Sequence, residues 1–345
     1  MIIMQNKKVN NILRRMNNED FDGMILTQFN NIKYLSNYSP TSFAICIIKE
    51  DPLILTSPMD MELANKTSSL KVEEFKSFSD LVKLFKKEDC KKIAIESFLP
   101  VDIYKKIEGK WDLEIKDFLE TERMIKSSDE INKMNKAIAI SHKSFKELNI
   151  LEKQEKSATE WEVAYELGYL MRSNGAQEES FETIVATGSN SSLPHARCEN
   201  KKLETHVLMD WGCKFNGYCS DTSRTIVYSE KQEEIFDIVL EAYNKAIDYI
   251  KPGIKVCEID EVARSIITEY GYADNFIHST GHSLGLDIHE KPTVSKKDET
   301  VLEKNMVITI EPGIYLEGEF GVRIEDMVKV GHKSEVMGNL PCKIS

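Results

Sequence analysis

Two pairs of carboxylates, each straddling a turn signal between β-rich runs, constrain this chain more than any other feature. In VLMDWG (207–212) and GYCSDTSRTIVY (217–228), Asp210 and Asp221 lie on either side of Asn216-Gly217, a hairpin signal. A turn centred between Phe215 and Asn216 puts the two aspartates directly opposite each other; moving it by one residue places them diagonally on the same face. In VITIEPGIYLEGEFGVRIEDMV (307–328), Glu311 and Glu325 flank a midpoint near Gly318. A hairpin centred there puts both carboxylates on one face, with Arg323 two residues from Glu325 on that same face. Like charges in such positions repel unless a cation or a shared proton compensates them. Taken singly, each pair has a plainer explanation. An exposed aspartate at a turn and a capping aspartate would account for the first, and an Arg323 ion pair would account for one acid of the second but not both.

Imidazole is concentrated nearby. HSTGHSLGLDIHEKP (278–292) carries His278, His282 and His289, three of the seven histidines, in a glycine-containing loop. Hydrogen-bonded loop histidines explain this segment as well as metal or proton chemistry does. Glu311 follows Met306-Val307-Ile308-Thr309-Ile310, so it is expected to be partly buried, where an unpaired carboxylate costs several kcal/mol. Four carboxylates and a histidine carry too much negative charge for a dry cleft unless divalent cations lie among them. The donor count suits two hard or borderline ions about 3.5–4 Å apart, as in hydrolytic two-metal sites. Cys213 and Cys219, close to the aspartates, read as strand packing rather than thiolate ligands.

The remainder of the 345 residues supplies the frame, a length that corresponds to about two domains. Up to about residue 120, DGMILTQ (22–28), FAICIIK (43–49), PLILTS (52–57) and KIAIES (92–97) alternate with helical stretches, which predicts a small α/β domain; Glu50-Asp51-Pro52 reads as a hairpin turn. Ser127-x-x-Glu130 and Thr159-x-x-Glu162 are capping-box signatures for two helices, the second carrying Trp161, Tyr165 and Tyr169 and stopping at Asn174-Gly175. Two further helices are expected over 231–250 and 258–270. With β-type runs at 182–187, 206–211, 217–228, 306–311 and 321–330, the second half reads as α+β with a largely antiparallel sheet. The expected domains are 1–122 and 123–345.

Fifty-seven acidic against 45 basic residues give a net charge of −12, which excludes nucleic acid and anionic membrane as expected partners. Seven scattered cysteines without a C-x-x-C pair predict a reducing compartment. MIIMQNKKVNNILRRM has no apolar core, and no run of 18 apolar residues occurs, so a cytoplasmic location is expected.

At this point the residues resemble the pita-bread metallopeptidases: methionine aminopeptidase, aminopeptidase P, prolidase and the metal-free relative creatinase. SFETIVATGSNSSLPHA (180–196), DWGCKFNGYCSDTSRT (210–225), HSTGHSLGLDIHE (278–290), VITIEPGIY and GVRIEDMV look like the successive signature segments of that family. NNIKYLSNYSP and ERMIKSSDE look like the extra N-terminal domain of the prolidase and aminopeptidase P branch. The resemblance implies an α/β creatinase-like N-terminal domain and an α+β pita-bread catalytic domain. In the implied roles Asp210 chelates one ion, Asp221 and Glu325 bridge both, and His282 and Glu311 complete the second. Glu311 also serves as general base, His289 and His195 donate hydrogen bonds beside the substrate, and His278 and Arg323 support the site.

The implied activity is hydrolysis of the Xaa-Pro bond in short proline-containing peptides. A dipeptidase (prolidase) is placed ahead of aminopeptidase P because the chain is compact. A silent peptide-binding module is the reading from another class, and it is disfavoured because all five ligand positions are filled. Two divalent ions are implied, Mn or Co first and Fe or Zn next, together with a homodimer. Two departures stand out. Ser223 replaces a usual Thr, keeping a hydroxyl. Lys291-Pro292-Thr293-Val294 lacks the Arg that follows the His-Glu pair in prolidases and is thought to hold the dipeptide carboxylate, although Lys291 or another basic residue could substitute.

Overall fold

Charge on two edge strands hides part of the first sheet from a reading of hydrophobicity. The four apolar runs become β1 (Gly23–Leu26), β2 (Ala44–Ile48), β3 (Leu53–Thr56) and β5 (Lys92–Ile95), but β4 (Lys71–Glu74) and β6 (Asp112–Ile115) are also present. The six strands form one sheet of order β4-β3-β2-β1-β5-β6. β4 and β6, with sequences KVEE and DLEI, are the charged outer strands, as sheet edges commonly are. β2 and β3 pair antiparallel across Glu50-Asp51-Pro52, as expected from the turn, whereas the β3/β4, β1/β5 and β5/β6 pairs are parallel. The helices of this half are α1 (Lys7–Asn18), α2 (Phe29–Ser36), α3 (Met61–Thr67), α4 (Phe78–Lys86), α5 (Val101–Ile107) and α6 (Phe118–Met124). Ile25, Ile45, Ile47, Leu81, Phe85 and Ile93 lie in its core.

This computed structural model describes residues 7–86 and 90–344, so the first six residues of the opening segment lie outside the described residues. The chain divides into two compact units, Met1–Glu122 and Arg123–Ser345. No helix among the described residues is long and apolar enough to cross a membrane.

In the second unit both capping boxes form as expected, opening α7 (Ser128–Leu148) and α9 (Glu160–Ser173), with the short α8 (Ile150–Glu155) between them. The aromatic stripe of α9 faces outward: Trp161, Tyr165 and Tyr169 are exposed, and Val163, Leu167 and Met171 form the buried face instead. α10 (Glu230–Tyr249) and α11 (Val256–Glu269) complete the helices.

The strands of this unit pair antiparallel. β7 (Glu178–Glu179), β10 (Cys213–Phe215) and β11 (Tyr218–Cys219) form one small sheet; β8 (Ile184–Thr187), β9 (Val207–Trp211) and β12 (Thr222–Ile226) form a second. β13 (Gly281–Ser283), β14 (Glu290–Val294), β15 (Val307–Ile310), β18 (Asp326–Val330) and β19 (Ser334–Val336) form a third, and β16 (Gly313–Leu316) pairs with β17 (Phe320–Arg323). The β-type runs expected over 217–228 and 321–330 are interrupted, at Ser220-Asp221 and at Ile324-Glu325. Each interruption carries one of the paired acids. At the first, the strands approach so closely that a Cβ on Gly212 would lie 1.9 Å from the Ser220 carbonyl oxygen, which only glycine permits.

Two buried histidines make this unit sensitive to acid. His142 on α7 and His206 before β9 are 3% and 1% exposed, and burial lowers the pKa of each to about 4. In the unfolded chain both titrate near 6.5. A depressed histidine favours the neutral folded form, so its contribution is complete above about pH 6.5 and is lost as the pH falls toward 4, on the order of 3 kcal/mol apiece. Urea unfolding of the chelated protein at pH 7.5 and 4.5 should therefore show a smaller acid-induced loss in His142→Gln and His206→Gln than in wild type. Equal losses in all three proteins would contradict this.

Candidate metal centre

The register of the two hairpins decides how the acids meet. β10 pairs with β11 through Phe215↔Tyr218, leaving Asn216 and Gly217 as a two-residue turn with φ of 50° and 83°. In the continuing ladder Asp210 faces Ser223, so Asp221 is diagonal to Asp210, the second of the two arrangements open to the sequence. β15/β18 and β16/β17 share one register about Gly318, which has φ of 72°, and Glu311 and Glu325 come opposite each other where the strands break beside Pro312. An antiparallel bridge between Ser223 and Glu325 brings the hairpins together.

His282 lies on β13 rather than in a loop, at a register shift between His282 and Ser283. Its Nδ1–H donates to the Ser283 carbonyl over 3.1 Å, which leaves Nε2 as a lone pair. That nitrogen is 3.5 Å from Asp221 Oδ2 and 3.5 Å from Glu311 Oε1. Burial lowers the pKa of His282, so the ring is neutral. Ligand atoms of Asp221, His282 and Glu325 all lie within 4.8 Å of one another.

Arg323 is the main counter-charge. It donates through Nη2 to Asp210 Oδ2 at 2.7 Å, through Nε to Ser223 Oγ at 2.8 Å, and through Nη1 to Tyr315 Oη at 2.7 Å and the Pro194 carbonyl at 3.2 Å. The acid it pairs with is thus Asp210, rather than Glu311 or Glu325. Ser223, where a threonine is usual, keeps the hydroxyl function: it donates to Glu325 Oε2 at 2.7 Å while accepting from Arg323. His278 donates from Nδ1 to the Ser279 carbonyl and accepts at Nε2 from Tyr315 Oη at 3.0 Å. Burial, then the nearby Arg323, push its pKa down to about 3, so it is a neutral prop.

One arginine does not offset four acids. Burial first, then the neighbouring carboxylates, raise Asp221 and Glu325 well above the ordinary range, and burial raises Glu311 to about 7 despite Arg323. Asp210 Oδ1 is buried with no hydrogen-bond partner among the described residues. Crowded carboxylates, a lone-pair nitrogen and an orphaned oxygen lining one cavity form a donor set that fits divalent cations.

The four acids and His282 open into a cavity of about 620 Å³, also lined by His195, His278, His289 and Thr293 and by the apolar Phe181, Ile184, Ala196 and Ile288. His195 and His289 are both exposed to it, and the His289 ring centre is 4.4 Å from that of His282. Cys213 and Cys219 are instead buried in strand packing, with burial raising both thiols, and neither belongs to the ligand cluster.

Several supports are absent from the sequence reading. Tyr315 links His278 to Arg323. Asp260 accepts from Thr280 N and Oγ1, and Arg264 donates to the Phe276 and His278 carbonyls, which ties the histidine segment to α11. Glu290, next to His289, is held by Arg123 and by Lys126 at 3.3 Å. Arg224 and Asp326 form a buried pair behind the Ser223–Glu325 bridge. The available signal was a charged residue inside an otherwise apolar strand, which has to find a partner.

Residues 132–332 match metallopeptidase family M24, and residues 8–128 match the creatinase/prolidase N-terminal domain. The chain is 39% identical over 337 residues to the Xaa-Pro dipeptidase of Pyrococcus horikoshii, covering 95% of each. Among solved structures, the Xaa-Pro dipeptidase from Bacillus anthracis is 34% identical with a TM-score of 0.91, covering 97% of this chain and 98% of that one. The X-Pro aminopeptidase from Thermotoga maritima is 32% identical with a TM-score of 0.84, covering 96% and 100%. The chain therefore belongs to metallopeptidase family M24, with the pita-bread fold and a creatinase/prolidase-type N-terminal domain, and is a metal-dependent peptidase.

Proposed function

We propose that this protein hydrolyses the peptide bond before proline, with Xaa-Pro dipeptides as its first substrates, and that residues 123–345 form the catalytic domain and residues 1–122 its N-terminal partner. The observation that carries this reading is the cavity that joins the carboxylate–histidine cluster to an apolar wall. Phe181, Ile184, Ala196 and Ile288 suit a pyrrolidine ring, and the imide of proline needs no acceptor for an N–H. The names of the relatives support the same substrate class.

We assign two divalent ions to Asp210, Asp221, His282, Glu311 and Glu325, with Mn or Co ahead of Fe or Zn for so oxygen-rich a set. When bound, such ions supply Lewis acidity and lower the pKa of water. The chain's own groups do the remaining work. Glu311, on its interrupted strand, takes the proton of the attacking water and delivers it to the imide nitrogen as the C–N bond breaks. His289 and His195 line the cavity where they can donate to the oxygen that gains charge. His278, Tyr315 and Arg323 hold Asp210 and, through Ser223, Glu325 in place. The reading includes a cytoplasmic homodimer.

The test is hydrolysis of an Xaa-Pro dipeptide beside the same peptide extended by one residue, with metal-replete and chelated enzyme. Metal-dependent cleavage confined to the dipeptide is the expected result. Release of the first residue from the longer peptide would make the protein an aminopeptidase P, the reading favoured by Thr293 in place of the prolidase arginine. No metal-dependent cleavage of either peptide would defeat both.

A further inference from the structure

A dipeptide substrate, on the reading above, brings a free carboxylate to within one residue of the scissile bond and into a cavity crowded with acids. Among the described residues, Arg197 and Arg323 are the only arginines or lysines that line this cavity. Arg323 is buried, and four of its five N–H donors are spent on Asp210, Ser223, Tyr315 and Pro194. Lys291, the basic residue nearest Thr293 in sequence, is not part of the lining. Arg197 is exposed, and its guanidinium has no hydrogen-bond or ion-pair partner among the described residues.

Its backbone, in contrast, is firmly held. The Arg197 carbonyl accepts from Asn190 Nδ2 at 3.0 Å, and the same amide donates to Glu160 Oε2 at 2.8 Å. Glu199 N also donates to that oxygen at 2.7 Å, so a fully buried acid anchors both ends of the segment. Three residues upstream, the Pro194 carbonyl accepts from Arg323, which itself grips Asp210. The loop is thereby fixed to the metal-ligand cluster while one permanently charged, planar group remains free in the same cavity.

We propose that Arg197 binds the C-terminal carboxylate of the substrate and is the residue that selects dipeptides over longer chains. A guanidinium matches a carboxylate through two parallel N–H donors, and in this cavity it also offsets the repulsion from the acids. Arg197 thus does from the His195 loop what Thr293, a neutral side chain on β14, does not do.

The test compares wild type, Arg197→Ala and Arg197→Lys on an Xaa-Pro dipeptide, its C-terminal amide and the tripeptide, all metal-replete. Calorimetric titration with free proline and with prolinamide supplies a second readout. In Arg197→Ala the kcat/KM preference for free acid over amide should fall roughly 10- to 100-fold, with the loss in KM rather than kcat. Arg197→Lys should retain part of the preference, and the tighter binding of proline over prolinamide should vanish in the alanine variant. Equal effects on acid and amide, or none on either, would overturn the assignment while leaving Xaa-Pro hydrolysis standing. A wild type that cleaves none of the peptides, yet binds proline through Arg197, would uphold the carboxylate site and remove the hydrolysis reading.

Discussion

Asp221→Asn should abolish metal-dependent hydrolysis, on the order of 10³-fold or more in kcat, and at the same time make the metal-free protein more stable. The two effects have one origin. Asp221 is buried beside Asp210 and Glu311, and both burial and those neighbours raise its pKa. A raised carboxyl contributes stability below its unfolded pKa and loses it as the pH rises through the folded value, so the chelated wild type becomes less stable toward neutrality. Asparagine keeps the shape without the charge and does not incur that loss. With divalent ions bound, the same charge becomes the attractive term, and the variant forfeits it. In the presence of chelator, the melting temperature of Asp221→Asn should exceed that of wild type by a few degrees at pH 7.5, with the gap closing near pH 4. With ions present the order should reverse, and elemental analysis should find the variant depleted of metal. A chelated variant no more stable than wild type, or one that retains full activity, would show that Asp221 is not a ligand under electrostatic strain.

The part of this site that was legible in the sequence is the part set by periodicity. Strand alternation and a glycine-centred turn are enough to place Glu311 and Glu325 face to face, because a period of two leaves few registers open. For Asp210 and Asp221 the same logic leaves two registers, and Asn216-Gly217 in the left-handed region selects the diagonal one. The two capping boxes were equally plain, since their chemistry is local. Contacts distant in sequence were not legible: the Arg323–Asp210 pair spans 113 residues, and no local pattern announces it. Nor does composition reveal β4 and β6, where charges suited to an edge conceal the strand period. Helical spacing alone also does not say which face of α9 is buried. Trp161, Tyr165 and Tyr169 recur at helical spacing, yet smaller residues, Val163, Ala164, Leu167 and Gly168, allow the close approach that burial requires.

Behind the site, the Arg224–Asp326 pair ties fold stability to the position of Glu325, one of the proposed ligands, and the two contributions should separate under mutation. Arg224 is 1% exposed and all its donors are used: Nη2 to both Asp326 oxygens at 2.9 and 3.0 Å and to the Leu340 carbonyl, Nε to the Pro341 carbonyl. Its Nη1 donates to the carbonyls of Ser223 at 2.8 Å and Glu325 at 2.7 Å, the two residues whose bridge joins the hairpins. Tyr243 Oη donates to Asp326 Oδ2 at 2.6 Å. Asp326→Ala leaves a buried guanidinium without its carboxylate and should cost about 3–5 kcal/mol in urea unfolding, a large share of a typical total of roughly 5–15 kcal/mol. Replacing both partners, Arg224→Met with Asp326→Leu, removes the unpaired charge and should recover most of that stability. Activity should not return with it, because no apolar side chain fixes the Ser223 and Glu325 carbonyls, and displacing a ligand carboxylate by a fraction of an ångström is expected to lower kcat/KM by on the order of 10²-fold. A double variant that regains both stability and activity would show that the pair only fills space; one that regains stability alone assigns Arg224 to positioning Glu325.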